Sequence, residues 1–214
     1  MTPPSRRSID RPLPRARFAL GAALVALATL GGCGGGSNPL GNPPDVWNPP
    51  GTGGRDLSYA YFQRCIFPVL LAELPINQNG QLSTNTCAGG GCHDNTTGTG
   101  GALRVIRSAT PFDLNDGANT NTLIRTSDMY KNFYSAQGVT VPGDPLQSRL
   151  LAKPLLLNML HGGGLIFDSE DDPNAKLIQY WIDHPVPSDQ NEFSEAAYAM
   201  FNPPDPTTGS CRTE

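Results

Sequence analysis

Cys87-Ala-Gly-Gly-Gly-Cys92-His93 is the most informative stretch of this 214-residue chain for predicting its fold and its cofactor. Two thiols followed at once by a histidine are typical of segments that attach a c-type haem by thioether bonds and ligate its iron. Four residues separate the cysteines, whereas the common motif has two, and the three glycines among them allow the loop to bulge at little steric cost. We expect Cys87 and Cys92 to hold one covalent haem c and His93 to be its proximal iron ligand.

The four cysteines beyond the N-terminal segment also permit a haem-free interpretation. In an exported protein Cys87 and Cys92 could form a small disulfide loop, with His93 an ordinary surface residue. The haem interpretation leaves Cys65 and Cys211 as one disulfide pair. The haem-free interpretation has two disulfides, and four cysteines permit three pairings, among which the sequence does not choose.

The N-terminus predicts export and a lipid anchor. Five arginines precede an apolar run at residues 18–30 that is too short to span a bilayer, as in a signal peptide, which we place at residues 1–32. The run ends in Leu-Gly-Gly-Cys at residues 30–33, which resembles the lipobox of bacterial lipoproteins. We expect Cys33 to be lipidated and to attach the protein to a membrane without a spanning helix. A plain secretory signal with a chance cysteine is the alternative.

Composition divides the rest of the chain into a tether, one domain and a tail. Residues 33–55 are rich in Gly, Pro and Asn, so they predict a tether without a core of its own. We expect the folded domain at residues 56–187 and a C-terminal tail at residues 188–214. Export predicts the cell envelope of a Gram-negative bacterium. Gly34 stands where an aspartate commonly retains lipoproteins at the inner membrane, so the outer membrane is favoured, with the domain facing the periplasm or the exterior.

The charge of the chain bears on its partners. The whole sequence has fifteen basic and nineteen acidic residues, and removal of the signal peptide leaves ten basic against eighteen acidic residues. So few scattered basic residues exclude a nucleic-acid partner. An acidic surface favours a basic redox partner protein.

Apolar spacing and capping residues predict three helices. The first follows Asp56-Leu57-Ser58 and ends before Pro75, with a kink or break at Pro68. The second covers residues 146–153 after an Asp-Pro pair. The third begins at Asp172-Pro173, has a wide apolar face, and ends at His184-Pro185.

The order of helix, Cys-rich loop and a terminal helix containing Leu-Ile-Gln-Tyr-Trp-Ile resembles the class I cytochrome c fold. The chain looks still more like the cytochrome c-like proteins of bacterial envelopes. Three segments carry this resemblance: the Gly-Gly-Ala-Leu turn at residues 100–103, the segment at residues 142–151 and the His-Gly-Gly-Gly stretch at residues 161–164. The resemblance spans about residues 56–186. The chain differs from these proteins in the four-residue spacer between its cysteines and in an insertion at residues 104–140. It implies a mainly α, cytochrome c-like helical domain wrapped round one covalent haem, with long loops.

In that fold the distal iron ligand comes from the loop shortly before the terminal helix, where Met159 and His161 both lie. We expect His161 to be the ligand, because the glycines after it let the loop pack flat against haem and because the resembling proteins show the same histidine. Met159 is the first alternative, followed by Met129, Met200 or an open sixth position.

Two axial protein ligands leave no position on the iron for oxygen or peroxide. The sequence therefore predicts a membrane-anchored carrier of single electrons in the cell envelope rather than a catalyst. Two alternatives remain. One is a haem-free, disulfide-stapled binding lipoprotein, and the other is a haem-bearing accessory subunit of an envelope oxidoreductase.

Overall fold

The structure is a computed structural model that describes residues 56–214. The predicted signal peptide, the lipidated Cys33 and the tether lie outside the described residues. Within residues 56–214 no helix is both long enough and apolar enough to cross a membrane.

Short helices and two small antiparallel sheets make up residues 56–214, with loops and turns between them. The α-helices are α1 (Tyr59–Tyr61), α2 (Phe67–Leu71), α3 (Asn121–Arg125), α4 (Asp128–Gln137), α5 (Arg149–Ala152) and α6 (Pro173–Asp183). A π-helical turn (Phe62–Ile66) joins α1 to α2, and 3₁₀ turns cover Pro145–Gln147 and Glu195–Met200. One sheet pairs β1 (Leu74–Gln78) with β2 (Gln81–Asn85), and the other pairs β3 (Phe201–Asn202) with β4 (Ser210–Cys211).

The first helical segment is continuous through the predicted break. Ser58 begins it, because its Oγ accepts a hydrogen bond of 3.1 Å from the N–H of Tyr61. The segment changes from π to α helix just before Pro68, which lies in the first turn of α2. Because proline has no N–H to donate, the helical hydrogen-bond pattern is interrupted there, which fits the change from π to α helix at this point. The segment ends at Leu71, before Pro75 as expected.

The predicted helix at residues 146–153 is divided in two by Ser148. This buried side chain donates from Oγ to the carbonyl oxygen of Asp144 at 2.8 Å and accepts from the N–H of Val141 at 2.8 Å. A serine that bonds to the backbone in this way competes with helix formation. The chain therefore forms a 3₁₀ turn before Ser148 and the short helix α5 after it.

Helix α6 matches its sequence prediction at both ends. Asp172 caps it by accepting hydrogen bonds from the N–H groups of Asn174 at 2.8 Å and Ala175 at 3.2 Å. It ends at Asp183, directly before His184. Trp181 on its apolar face is fully buried.

An aromatic cluster forms the centre of the core and draws on the insertion as well as on the predicted helices. Phe62 of the π turn contacts Trp181 of α6 with ring centroids 5.5 Å apart, and it contacts Phe133 of α4 at 5.6 Å. Tyr59 lies against Phe133 at 5.5 Å. Helix α4, which the sequence analysis did not predict, therefore belongs to the core although it lies within the insertion.

The predicted division between domain and tail at residue 187 is not a boundary of the core. Met200 and Phe201 are buried in the same cluster as the helices, and Glu192 is 3% exposed. The Cys65–Cys211 disulfide, which the haem interpretation had left as a pair, is present and joins the π turn to β4. The last residues are thus a structural part of the domain.

Candidate cofactor site

A cavity of about 730 Å³ brings together four of the residues predicted to form the site. Cys87, Cys92, His93 and His161 all line it. Met159, the alternative to His161, is not among the lining residues of this cavity. The other two methionines considered, Met129 and Met200, are buried in the hydrophobic core.

The loop from Cys87 to His93 closes on itself directly after β2. The N–H of His93 donates to the carbonyl oxygen of Cys87 at 3.0 Å, and the N–H of Cys92 donates to that of Gly89 at 3.0 Å. Gly91 has φ of +81°, a left-handed conformation that a residue with a Cβ rarely adopts. The four-residue spacer therefore forms a compact turn that directs both cysteines and the histidine to one cavity.

Both cysteines of this loop are unpaired thiols in the structure. Burial, and secondarily the nearby Cys92, raise the pKa of Cys87 to about 11, so its thiol is protonated at neutral pH. The Cys92 sulfur accepts a hydrogen bond from Nδ2 of Asn85 at 3.6 Å. The second disulfide required by the haem-free interpretation does not occur in this arrangement.

His93 has its ring fixed by the backbone. Its Nδ1 lies 3.1 Å from the carbonyl oxygen of Leu103, and because a carbonyl only accepts hydrogen bonds, Nδ1 carries the proton. The lone pair is then on Nε2. Burial is the main cause that lowers the pKa of His93, and the charges of His161, Arg104 and Lys153 add to it. The imidazole is therefore neutral, which is the form that binds metal.

His161 is fixed in the same way by its own loop. Its Nδ1 lies 2.8 Å from the carbonyl oxygen of Gly164, so Nδ1 is the donor, and Nε2 is the nitrogen that could bind a metal ion. The N–H of Gly164 donates back to the carbonyl oxygen of His161 at 2.9 Å. A backbone partner at Nδ1 is the usual arrangement for a histidine that ligates a metal through Nε2.

The two imidazoles lie nearly parallel, at a distance that fits a shared metal ion. The ring centroids of His93 and His161 are 6.3 Å apart, and their planes differ by 15°. Two imidazoles that bind one metal ion from opposite sides, each at about 2 Å, place their centroids about 6 Å apart. No group of three or more His, Cys, Asp or Glu side chains within residues 56–214 could hold a metal ion. Two imidazoles leave the other positions of a metal ion open to further ligands, such as the ring nitrogens of a cofactor.

The β1–β2 hairpin forms one wall of the cavity, and the sequence analysis did not predict it. Alternate residues of the hairpin line the cavity, as the two-residue period of a strand requires: Leu74, Ile76, Gln78, Ser83 and Asn85. The signal that could have revealed the hairpin is Asn79-Gly80, whose φ values of 53° and 85° are those of the tight turns preferred in two-residue hairpins.

Apolar side chains and a close glycine complete the shape of the cavity. The turn at residues 100–103 lines the cavity beside His93. A Cβ at Gly100 would lie 2.5 Å from Nδ1 of His93, so only glycine fits there. The apolar walls suit a large planar cofactor with an apolar face. The lining residues that supply them from several elements are Val69, Leu70, Leu150, Ile166, Phe167 and Ile178.

Comparison with protein-family profiles, with curated proteins and with solved structures gave no significant match to this chain.

Proposed function

We propose that the protein is a membrane-anchored monohaem c-type cytochrome that transfers single electrons in the cell envelope. The observation that carries this proposal is the pair His93 and His161, with ring centroids 6.3 Å apart, in a cavity that also contains the unpaired Cys87 and Cys92. In this proposal residues 56–214 form a cytochrome c-like helical domain around the cofactor.

Each residue of the site has a defined role in the proposal. The thiols of Cys87 and Cys92 would hold the haem by thioether bonds to its vinyl groups. His93 and His161 would bind the iron through Nε2, while the carbonyl oxygens of Leu103 and Gly164 keep their rings in position. The haem supplies the iron that changes between its two oxidation states.

The ligand pair determines what the site can do. When both axial positions are occupied by imidazole, oxygen and peroxide have no position on the iron, so the site passes electrons without binding a substrate. Two histidines also give a lower reduction potential than a histidine and a methionine. An electron carrier with a redox partner protein follows from this arrangement, rather than an enzyme.

The location of the protein in this proposal rests on the sequence of the N-terminus. Removal of residues 1–32 would leave Cys33 as the lipidated first residue, and residues 33–55 would connect the lipid to the domain. The outer membrane of a Gram-negative bacterium is the proposed site of attachment. The acidic mature chain suits a basic redox partner.

An absorption spectrum tests the proposal directly. The full chain is exported from a cell equipped for c-type haem attachment, and oxidised, reduced and pyridine haemochrome spectra are recorded. We expect a c-type spectrum with one haem per chain. The C87S and C92S variants should each lose one thioether bond and shift the haemochrome band, whereas the matched C65A/C211A variant should keep the wild-type band.

The opposite result would establish the haem-free alternative. A colourless protein from competent cells, with a Cys87–Cys92 disulfide found by peptide mass mapping, would contradict the cytochrome proposal. The same mapping on a coloured protein should instead find these two cysteines blocked by haem.

A further inference from the structure

The cavity has a charge that is opposite to that of the chain as a whole. Arg149 and Lys153 are cations in its lining, and the lining residues within the described part of the chain include no Asp or Glu. The complete sequence nevertheless has more acidic than basic residues, nineteen against fifteen. A cationic lining in an acidic protein indicates a ligand that carries negative charge.

Arg149 and Lys153 lie one helical turn apart on the same face. Arg149 is the first residue of α5, and Lys153 is its C-cap, directly after Ala152. Residues at positions i and i+4 of a helix are neighbours, so the two side chains reach the same region of the cavity. Arg149 is exposed, whereas Lys153 is half-buried, which places one cation nearer the rim and the other further inside.

Among residues 56–214 neither cation forms an ion pair with an acidic side chain. The ion pairs found among residues 56–214 are Arg125–Glu192, Lys131–Asp128 and Lys176–Asp171. Lys153 lines the same cavity as His93 and His161 and is half-buried. A half-buried cation without an acidic partner among the described residues is poorly compensated by the protein alone, so an anionic group from a ligand would stabilise it.

We propose that Arg149 and Lys153 bind the two propionate carboxylates of the haem. This inference rests on the proposed function, because haem is the ligand that supplies these carboxylates. Arg149 offers a planar fork of donors to one carboxylate, and Lys153 offers a single ammonium group to the other. The two residues thereby fix which edge of the cofactor faces α5.

The same contacts raise the reduction potential of the site. A carboxylate near the iron favours the more positive oxidised state, and a paired cation cancels this effect. Removal of either cation should therefore stabilise the oxidised form. Arg149 and Lys153 partly offset the low potential expected from two histidine ligands.

The test is a redox titration of the haem-loaded full chain and its variants. R149Q and K153Q should each decrease the ratio of reduced to oxidised protein at a fixed potential by about threefold to tenfold, since a unit charge close to the site contributes about 1 kcal/mol. The double variant should show a larger decrease than either single variant. The conservative variants R149K and K153R should remain close to the wild type.

Two matched variants remove a charge elsewhere. Arg107 is exposed, and Lys176 of α6 pairs with Asp171. Neither Arg107 nor Lys176 lines the cavity. R107Q and K176Q should change the ratio of reduced to oxidised protein less than R149Q and K153Q do. Equal ratios in the cavity variants and these controls, with haem fully bound, would overturn the propionate assignment and leave the cytochrome proposal intact. A wild-type protein without haem would instead refute the proposed function itself, and this inference with it.

Discussion

The indole N–H of Trp181 donates a hydrogen bond of 2.9 Å to the carbonyl oxygen of Ser58, and both residues are fully buried. Ser58 is also the residue that caps α1. The last long helix is thus bonded directly to the start of the first helical segment. This bond crosses the core between two elements far apart in sequence.

The W181F variant should destabilise the domain by about 2 kcal/mol, because it removes this buried hydrogen bond and part of a large side chain. Denaturant unfolding of the haem-loaded protein measures the loss. L82A is a suitable control, since Leu82 is 75% exposed, and it should change the free energy of unfolding by less than about 0.5 kcal/mol. Equal effects of the two variants would contradict the role given to Trp181.

Gly100 should not tolerate a side chain. A Cβ there would lie 2.5 Å from Nδ1 of His93, so the ring would have to move from its bond with Leu103. We expect G100A to lower the free energy of unfolding by about 1–3 kcal/mol and to reduce the haem content per chain. A Cβ at Gly117 meets no atom within 4 Å, so G117A should retain the wild-type haem content.

The distal ligand can be distinguished by two substitutions in one loop. H161M should keep a six-coordinate iron and raise the reduction potential, because a thioether sulfur replaces an imidazole nitrogen. M159L should leave both the spectrum and the potential unchanged, since Met159 does not line the cavity. If M159L changes the spectrum and H161M does not, Met159 is the ligand.

Asp94 should make the loop after His93 sensitive to acid. Its Oδ1 accepts hydrogen bonds from the hydroxyl and the N–H of both Thr96 and Thr97. These bonds, first of all that from the Thr96 hydroxyl, hold the pKa of Asp94 well below its usual range. A lowered carboxyl pKa contributes stability above the ordinary pKa near 4, and this contribution is lost as the pH falls through the folded-state value.

Unfolding measurements at several pH values test this dependence. D94A should be less stable than the wild type at pH 7, and the difference should shrink as the pH is lowered below about 4. The exposed Glu214 offers a control of equal charge change. E214Q should show no such pH-dependent difference, and a D94A deficit that stays constant with pH would argue against the ionised carboxylate as its cause.

Local signals were sufficient for the terminal helix but not for the middle of the chain. Asp172-Pro173 and His184-Pro185 predict α6 with correct ends, because capping and proline geometry depend on neighbouring residues alone. Helix α4 is different. It contributes Phe133 to a cluster built from distant residues, and a ten-residue helix in a loop-rich insertion gives no strong local signal. Ser148 likewise divides a predicted helix through bonds visible only in three dimensions.

The sequence indicated four side chains that the fold brings to one cavity, but it did not indicate what surrounds them. The Cys-x4-Cys-His pattern and the glycines after His161 identify side chains that the fold brings to one cavity. The walls depend on tertiary packing, and so do the cations Arg149 and Lys153, which look like ordinary surface residues in the sequence. Only the hairpin turn Asn79-Gly80 offered a local clue to one of these walls.

The order of the chain has a consequence for how the cytochrome would be assembled. Asn77 of the β1–β2 hairpin and Leu165 exchange two backbone hydrogen bonds. These bonds attach the loop that contains His161 to the hairpin, which comes shortly before Cys87 in the sequence. In an exported chain Cys87 and Cys92 would emerge before residue 161. A haem could then be attached to a half-site that is still open, and the later segment with His161 would close the cavity over it. Assembly of the proposed cytochrome would thus follow the direction of chain export.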